Sequence, residues 1–157
     1  VISLGRHERL EPIRKVLSEA CSTVEMVDDL SSLVWSKLVI NTAINPLTAL
    51  LEVENGELLE RESARELMAK LAQETAEVAK ALEIKLSYKD PVKAAEKVAE
   101  KTASNHSSVY QDIMRWAPTE IDAICGAVAR KGKELGVETP ANEILQKLIK
   151  AKIEVKK

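Results

Sequence analysis

Residues 33–51 place the strongest constraint on how this chain can fold. They are hydrophobic and almost long enough to cross a bilayer, yet Lys37, Asn41, Asn45 and Pro46 interrupt them. Each of these is costly in lipid, so the segment is expected to be a helix in water-soluble surroundings and not a membrane span. Within 35-WSKLVINTAINPLTAL-50, Lys37, Asn41 and Asn45 recur at intervals of four. That is about one helical turn, so all three side chains leave the same side of a helix. Lys37 is the only charged residue between Asp29 and Glu52. Such a stripe on an apolar helix needs partners or water. It is either an accident of surface exposure or a site.

The rest of the chain reads as helix after helix. Leu10, Ile13, Val16 and Leu17 have helical spacing over 8–20, and a short β-type run follows at 23–27. Asp28 or Asp29 can cap the helix that carries Lys37. Asn55-Gly56 breaks the chain, and 57–82 reads as one long amphipathic helix. Asp90-Pro91 starts another, ending near Ser104. Ser108 with Gln111 makes a capping box for 109–116, with Asn105 or Ser107 as competing caps. Thr119 with Asp122 starts a helix over 120–135 that Gly136 ends, and Thr139-Pro140 begins the last one, running to about Ile153 before a fraying lysine-rich tail. The fold class is all-α, with a short strand remnant at the N-terminus.

Composition excludes several functions. A chain of 157 residues suits one domain with a sizeable core, and 45% hydrophobic with 31% charged residues is not the balance of a disordered protein. A net charge of −2 with acids and bases interleaved argues against a nucleic-acid or membrane surface. Cys21 and Cys125 lack metal-ligand spacing and read as reduced thiols of a cytoplasmic protein, so no metal is expected. There is no G-x-G-x-x-G, P-loop, H-E-x-x-H or serine elbow. A Rossmann-type nucleotide site is therefore absent from the chain. The opening Val1-Ile2-Ser3-Leu4-Gly5, with no initiator methionine, points to a start inside a larger protein near a domain boundary.

Three polar clusters remain once core and surface are assigned. They are the Lys37/Asn41/Asn45 stripe with Asn55-Gly56, the knot 104–108, and Thr119-Glu120-Ile121-Asp122. Each has a structural reading. Lys37 can snorkel, Asn45 can mark a kink before Pro46, Ser108 can be only a cap, and Glu120 favours a helix N-terminus whatever its task. His106 in a polar loop reads as solvated, Cys125 as core, and Trp35 and Trp116 as packing residues.

The blocks W-S-K-L-V-I-N-T-A-I-N-P-L-T-A-L, N-G-E-L, N-H-S-S-V-Y-Q-D, P-T-E-I-D-A-I-C-G and G-V-E-T-P-A-N, in this order over residues 35–142, resemble the C-terminal domain of the ketopantoate reductases. The resemblance implies a helical domain of the 6-phosphogluconate-dehydrogenase-like type over 31–157. Residues 1–30 would be an interdomain remnant of short strand, helix and short strand. An N-terminal Rossmann domain binding NADP(H) would lie outside this chain, which alone would be inactive. The family reduces ketopantoate to pantoate on the way to pantothenate and coenzyme A. By position, Lys37 would be the catalytic general acid, and Glu120 a second catalytic residue that holds either the substrate hydroxyl or the lysine in position. Asn41, Asn45, Asn55, Asn105 and Ser108 would bind substrate. The cofactor would be held mainly by the missing domain, and a homodimer is implied.

The chain departs from the family pattern in places. Val109 replaces a usual methionine, Cys125 a frequent asparagine, and Trp116-Ala117 the Gly/basic pair before P-T-E-I-D. None removes a group the chemistry needs, though the last could alter its loop. Two other readings stay open: a non-catalytic helical interaction or dimerisation module, and a sister reductase for another 2-oxo acid, since fold does not fix substrate.

Overall fold

The computed structural model describes residues 1–20 and 23–155. Cys21 and the end of the lysine-rich tail, Lys156 and Lys157, lie outside the described residues. The chain opens with β1 (Ile2–Gly5), a 3-10 turn (Glu8–Leu10), α1 (Glu11–Ala20) and β2 (Val24–Val27). The two strands pair in parallel, from Ile2 with Val24 to Gly5 with Val27. Parallel pairing needs a long crossover, and α1 supplies it. This unit adds nothing to the main core: α1 has no buried residue, and Ile13 and Val16 are exposed.

Seven helices follow: α2 (Leu30–Leu51), α3 (Glu57–Glu60), α4 (Glu62–Ala81), α5 (Pro91–Lys101), α6 (Ser108–Met114), α7 (Cys125–Leu135) and α8 (Pro140–Val155). Helix α2 is the axis of the bundle and touches α3, α4, α5, α6 and α8. Asp29 caps it by accepting from Ser32 N–H at 2.8 Å. From Thr42 to Ala49 every residue is buried, so this part of the helix is enclosed on all sides and not amphipathic. Its far end is held by Lys152 of α8. That ammonium donates to the carbonyls of Ala49 (2.8 Å) and Leu50 (2.9 Å) and pairs with Glu52. A cation at a helix C-terminus satisfies carbonyls that have no intrahelical partner. No helix among the described residues is long and apolar enough to cross a membrane.

Several boundaries differ from the sequence reading. The expected single helix over 57–82 is broken at Arg61, whose backbone is extended (φ −114°, ψ 112°). The Arg61 guanidinium replaces the missing ladder bond by donating to the Glu57 carbonyl (2.8 Å) and carboxylate (2.7 Å). The expected helix over 120–135 begins only at Cys125, and 121–124 form turns. Asp122 does not cap it. Its carboxylate accepts from Lys150 (2.7 Å) and from the Gln146 amide on α8, and these two bonds hold the acid below its usual range.

Helix α8 starts on a buried acid. Glu74 of α4, 4% exposed, accepts from the backbone N–H groups of Ala141 and Asn142 and from the Asn142 side-chain amide, each at 3.0 Å. A carboxylate at a helix N-terminus meets both unpaired donors and the positive end of the dipole. A second polar tie crosses the core nearby, where the hydroxyls of Thr42 and Thr75 lie 2.9 Å apart. Glu74→Ala strands three donors, two of them buried, and is expected to destabilise the fold by about 3 kcal/mol. Glu74→Gln keeps one acceptor oxygen and should cost less. Urea denaturation of the two variants checks both the size and the order.

Candidate active site

The polar stripe exists as one face of α2, and it descends from solvent into the core. Lys37 is exposed, Asn41 half-buried and Asn45 buried at 9% exposure. Behind the Lys37 turn, Ser36 is braced by the 84–90 segment: its hydroxyl accepts from Ser87 N–H and its carbonyl from the Tyr88 hydroxyl, both at 2.8 Å. Pro46, inside the helix, has no N–H to return to the preceding turn.

At the buried end of the stripe stands the start of α6. The Asn45 amide lies 3.4 Å from Ser108 Oγ. The cap of α6 is Ser107, not Ser108: Ser107 Oγ accepts from Tyr110 N–H at 3.2 Å. Gln111, expected to complete a capping box, instead donates its side-chain amide to the His106 carbonyl. Because Ser107 takes the capping duty, the exposed Ser108 hydroxyl is left for the stripe. His106 is exposed and stacks on Tyr110, with ring centroids 4.3 Å apart.

The Asn55-Gly56 break is fastened to the same knot. Backbone N–H groups of Asn55 and Gly56 donate to the carbonyls of Asn105 and Ala103, both at 3.0 Å, and the Asn55 amide donates to Thr102 Oγ1 at 2.9 Å. A side chain at position 56 would drive its Cβ to 2.6 Å from Ala103 Cβ, so only glycine permits this approach. Helix α5 stops at Lys101, three residues short of the expected end near Ser104, and Thr102 is its cap, since 102–105 turn to meet the break. Asn55 is buried, and its Oδ1 is left with no hydrogen-bond partner. The side chain of Asn105 is exposed, and its backbone carries the contact.

The structure therefore joins Asn45 to Ser108 directly, and Asn55 to Asn105 through backbone. It does not join Lys37 to Glu120: Glu120 is exposed, and among the described residues the two form no ion pair. Glu120 also sits on turns and not at a helix start. Trp116, expected to pack, is 68% exposed with φ 59°. It follows the end of α6, with Ala117 N–H donating to the Asp112 carbonyl, a place where glycine is the common choice. The Trp116-Ala117 departure thus leaves the helix stop intact, with a bulky residue in a left-handed backbone. Two participants escaped the sequence reading. Thr48 and Thr102 hold the knot through their hydroxyls, and the only signal was a hydroxyl within an apolar or alanine-rich run.

With this geometry in view, a family sequence model described as ketopantoate reductase PanE/ApbA C terminal matches residues 29–153. The chain belongs to the ketopantoate reductase family. It is 41% identical over 140 residues to the 2-dehydropantoate 2-reductase of Pyrobaculum aerophilum, a match covering 89% of this chain and 50% of that protein. It is 36% identical over 141 residues to the 2-dehydropantoate 2-reductase of Archaeoglobus fulgidus, covering 89% and 47%. Among solved structures, the PanE/ApbA family ketopantoate reductase of Ralstonia eutropha superposes with a TM-score of 0.88 at 29% identity, over 97% of this chain and 51% of that one. A D-mandelate dehydrogenase complexed with NADH gives 0.89 at 28%, over 98% and 54%. The chain spans about half the length of the curated relatives it matches. Its all-α bundle is the helical C-terminal domain of the ketopantoate reductases, as the sequence motifs implied.

Cys125 is wholly buried at the start of α7, and burial pushes its thiol up to about 12. A thiol with so little thiolate is a packing group and not a nucleophile. Iodoacetamide under native, mildly alkaline conditions is expected to leave the Cys125 peptide unmodified. Alkylation in urea should label it, and peptide mass spectrometry distinguishes the two.

Proposed function

We propose that this chain is the substrate-binding and proton-donating half of an NADP(H)-dependent reductase that converts 2-dehydropantoate to pantoate, within pantothenate and coenzyme A biosynthesis. The observation that carries the reading is the stripe on α2, which runs from exposed Lys37 past Asn41 to buried Asn45 and ends against Ser108. Residues 31–157 would be the substrate domain, and 1–30 the link to a Rossmann half. A homodimer and a cytoplasmic location belong to the same proposal.

The dinucleotide does not fit this chain's own residues. The β1–α1–β2 unit has the parallel crossover of nucleotide folds, but its helix begins with Glu11-Pro12 and has no glycine-rich turn. A carboxylate at that N-terminus repels a pyrophosphate, and a loop without glycine keeps the backbone away from it. Cofactor binding is therefore assigned to the Rossmann half.

The chemistry left to this chain follows from its polar groups. Reduction of a ketone develops negative charge on the carbonyl oxygen, and a positioned cation stabilises that charge and donates the proton. Lys37, at the open end of the stripe, is placed for both. The amides of Asn41 and Asn45 donate to and accept from a hydroxyl, as does Ser108. Asn105 offers a further exposed amide, and Asn55, whose Oδ1 is shielded from solvent, ties the chain break to the same knot. Glu120 would come into play by contacting ligand rather than Lys37, since the two are unpaired.

A sister reductase for another 2-oxo acid is the second reading. The D-mandelate dehydrogenase likeness favours it, and the NADH in that structure leaves NADH a candidate beside NADPH. A non-catalytic module is disfavoured by the retention of the whole polar set.

Two measurements on the chain joined to its Rossmann half test the proposal. Lys37→Ala is expected to cut kcat by roughly 100-fold or more with unchanged helical circular dichroism, the scale of a positioned general acid. A fall of less than about threefold would return Lys37 to a snorkelling surface residue. The unmutated enzyme should prefer ketopantoate over 3,3-dimethyl-2-oxobutanoate, which lacks one hydroxyl, by about 10- to 100-fold in kcat/KM, because the analogue leaves polar groups unpaired. Equal values for the two substrates would favour the sister-reductase reading.

A further inference from the structure

Asn45 meets two consecutive serines in two different ways. Its amide faces Ser108 Oγ at 3.4 Å, while its backbone carbonyl accepts from Ser107 Oγ at 3.3 Å. Thr48 Oγ1 closes the group, 2.7 Å from Ser107 Oγ and 3.1 Å from the Asn45 carbonyl. The same Ser107 oxygen accepts the Tyr110 N–H that starts α6. One atom therefore both begins α6 and fastens it to α2.

Thr48 is 0% exposed and Ser107 6% exposed, so neither hydroxyl reaches a ligand. Their effect must pass through their neighbours. Ser107 is the cap, with extended backbone (φ −64°, ψ 159°), and Ser108 is the first helical residue, so the two side chains leave the chain in different directions. With Ser107 fixed inward, Ser108 is turned out toward the Asn45 amide. Val109 and Ile113 also pack α6 into the core, but apolar contact is non-directional and does not by itself set the register of one helix start on another. The hydroxyl pair does so, because hydrogen bonds weaken steeply off their preferred geometry.

We propose that Thr48 and Ser107 are positioning residues that set the spacing of Asn45 and Ser108, and so the affinity of this domain for its substrate. This rests on the reading of Asn45 and Ser108 as substrate contacts.

The test uses the chain joined to its Rossmann half, assayed with ketopantoate and NADPH. Thr48→Val keeps the side-chain shape and removes the hydroxyl. It is expected to raise the ketopantoate KM about tenfold with the NADPH KM unchanged. Thr48→Ser, which restores the oxygen, should recover most of the loss. On a Ser108→Ala background, Thr48→Val should add little, because the residue it positions is already gone. Ser107→Ala should repeat the pattern, and it carries the test if Thr48→Val does not fold. An unchanged ketopantoate KM in a folded Thr48→Val, whatever its thermal stability, overturns the proposal, as does full additivity with Ser108→Ala. If instead Ser108→Ala alone leaves the ketopantoate KM unchanged, the substrate reading of the site falls first. A failure of the positioning role differs from this, because Ser108→Ala would then still raise KM.

Discussion

The enclosure of α2 governs this domain. A helix buried all round from Thr42 to Ala49 cannot send its polar groups to water, so each must find a partner inside the protein. Thr42 finds Thr75, Thr48 and the Asn45 carbonyl find Ser107, and the last carbonyls find Lys152. Each of these ties also fixes where a neighbouring helix sits. The polar residues of an apolar helix thus act as registration points for α4, α6 and α8, which hydrophobic contact alone would hold less specifically.

The candidate site uses the same helix differently at its other end. There the stripe is open: Lys37 is exposed and Asn41 half-buried. One helix carries polar groups that are spent on architecture and polar groups that are left for chemistry, and burial separates the two. Asn45 stands at the division, its carbonyl engaged with Ser107 and its amide facing Ser108 across a long contact. Half of the residue belongs to the fold and half to the site.

Much of this was legible in the sequence because it depended on local signals. Asp90-Pro91 and Gly136 mark helix ends through their own backbone preferences, and both stand where expected. The stripe was legible because four-residue spacing survives any packing of the helix. Features that depend on distant partners were not. The break at Arg61 is a local exception, held by a guanidinium folding back four residues on Glu57, which no periodicity reports. Asp122 was drawn from a capping role to Lys150 and Gln146, over twenty residues away. Ser107 and Ser108 were indistinguishable as caps until α2 supplied Thr48 on one side. Trp116 adopts a conformation that its residue type disfavours, so propensity pointed away from it.

The clamp at the end of α2 bears on how the chain is made. The carbonyls of Ala49 and Leu50 are satisfied by a lysine 103 and 102 residues further on. During synthesis the central helix emerges about a hundred residues before its closing cation. Until Lys152 leaves the ribosome, the most apolar segment of the domain has an open end and lacks the helix that covers it there. The order of translation therefore opposes the order of burial within this bundle. Segments left waiting in this way are the ones that trigger factors and other nascent-chain chaperones are suited to shelter.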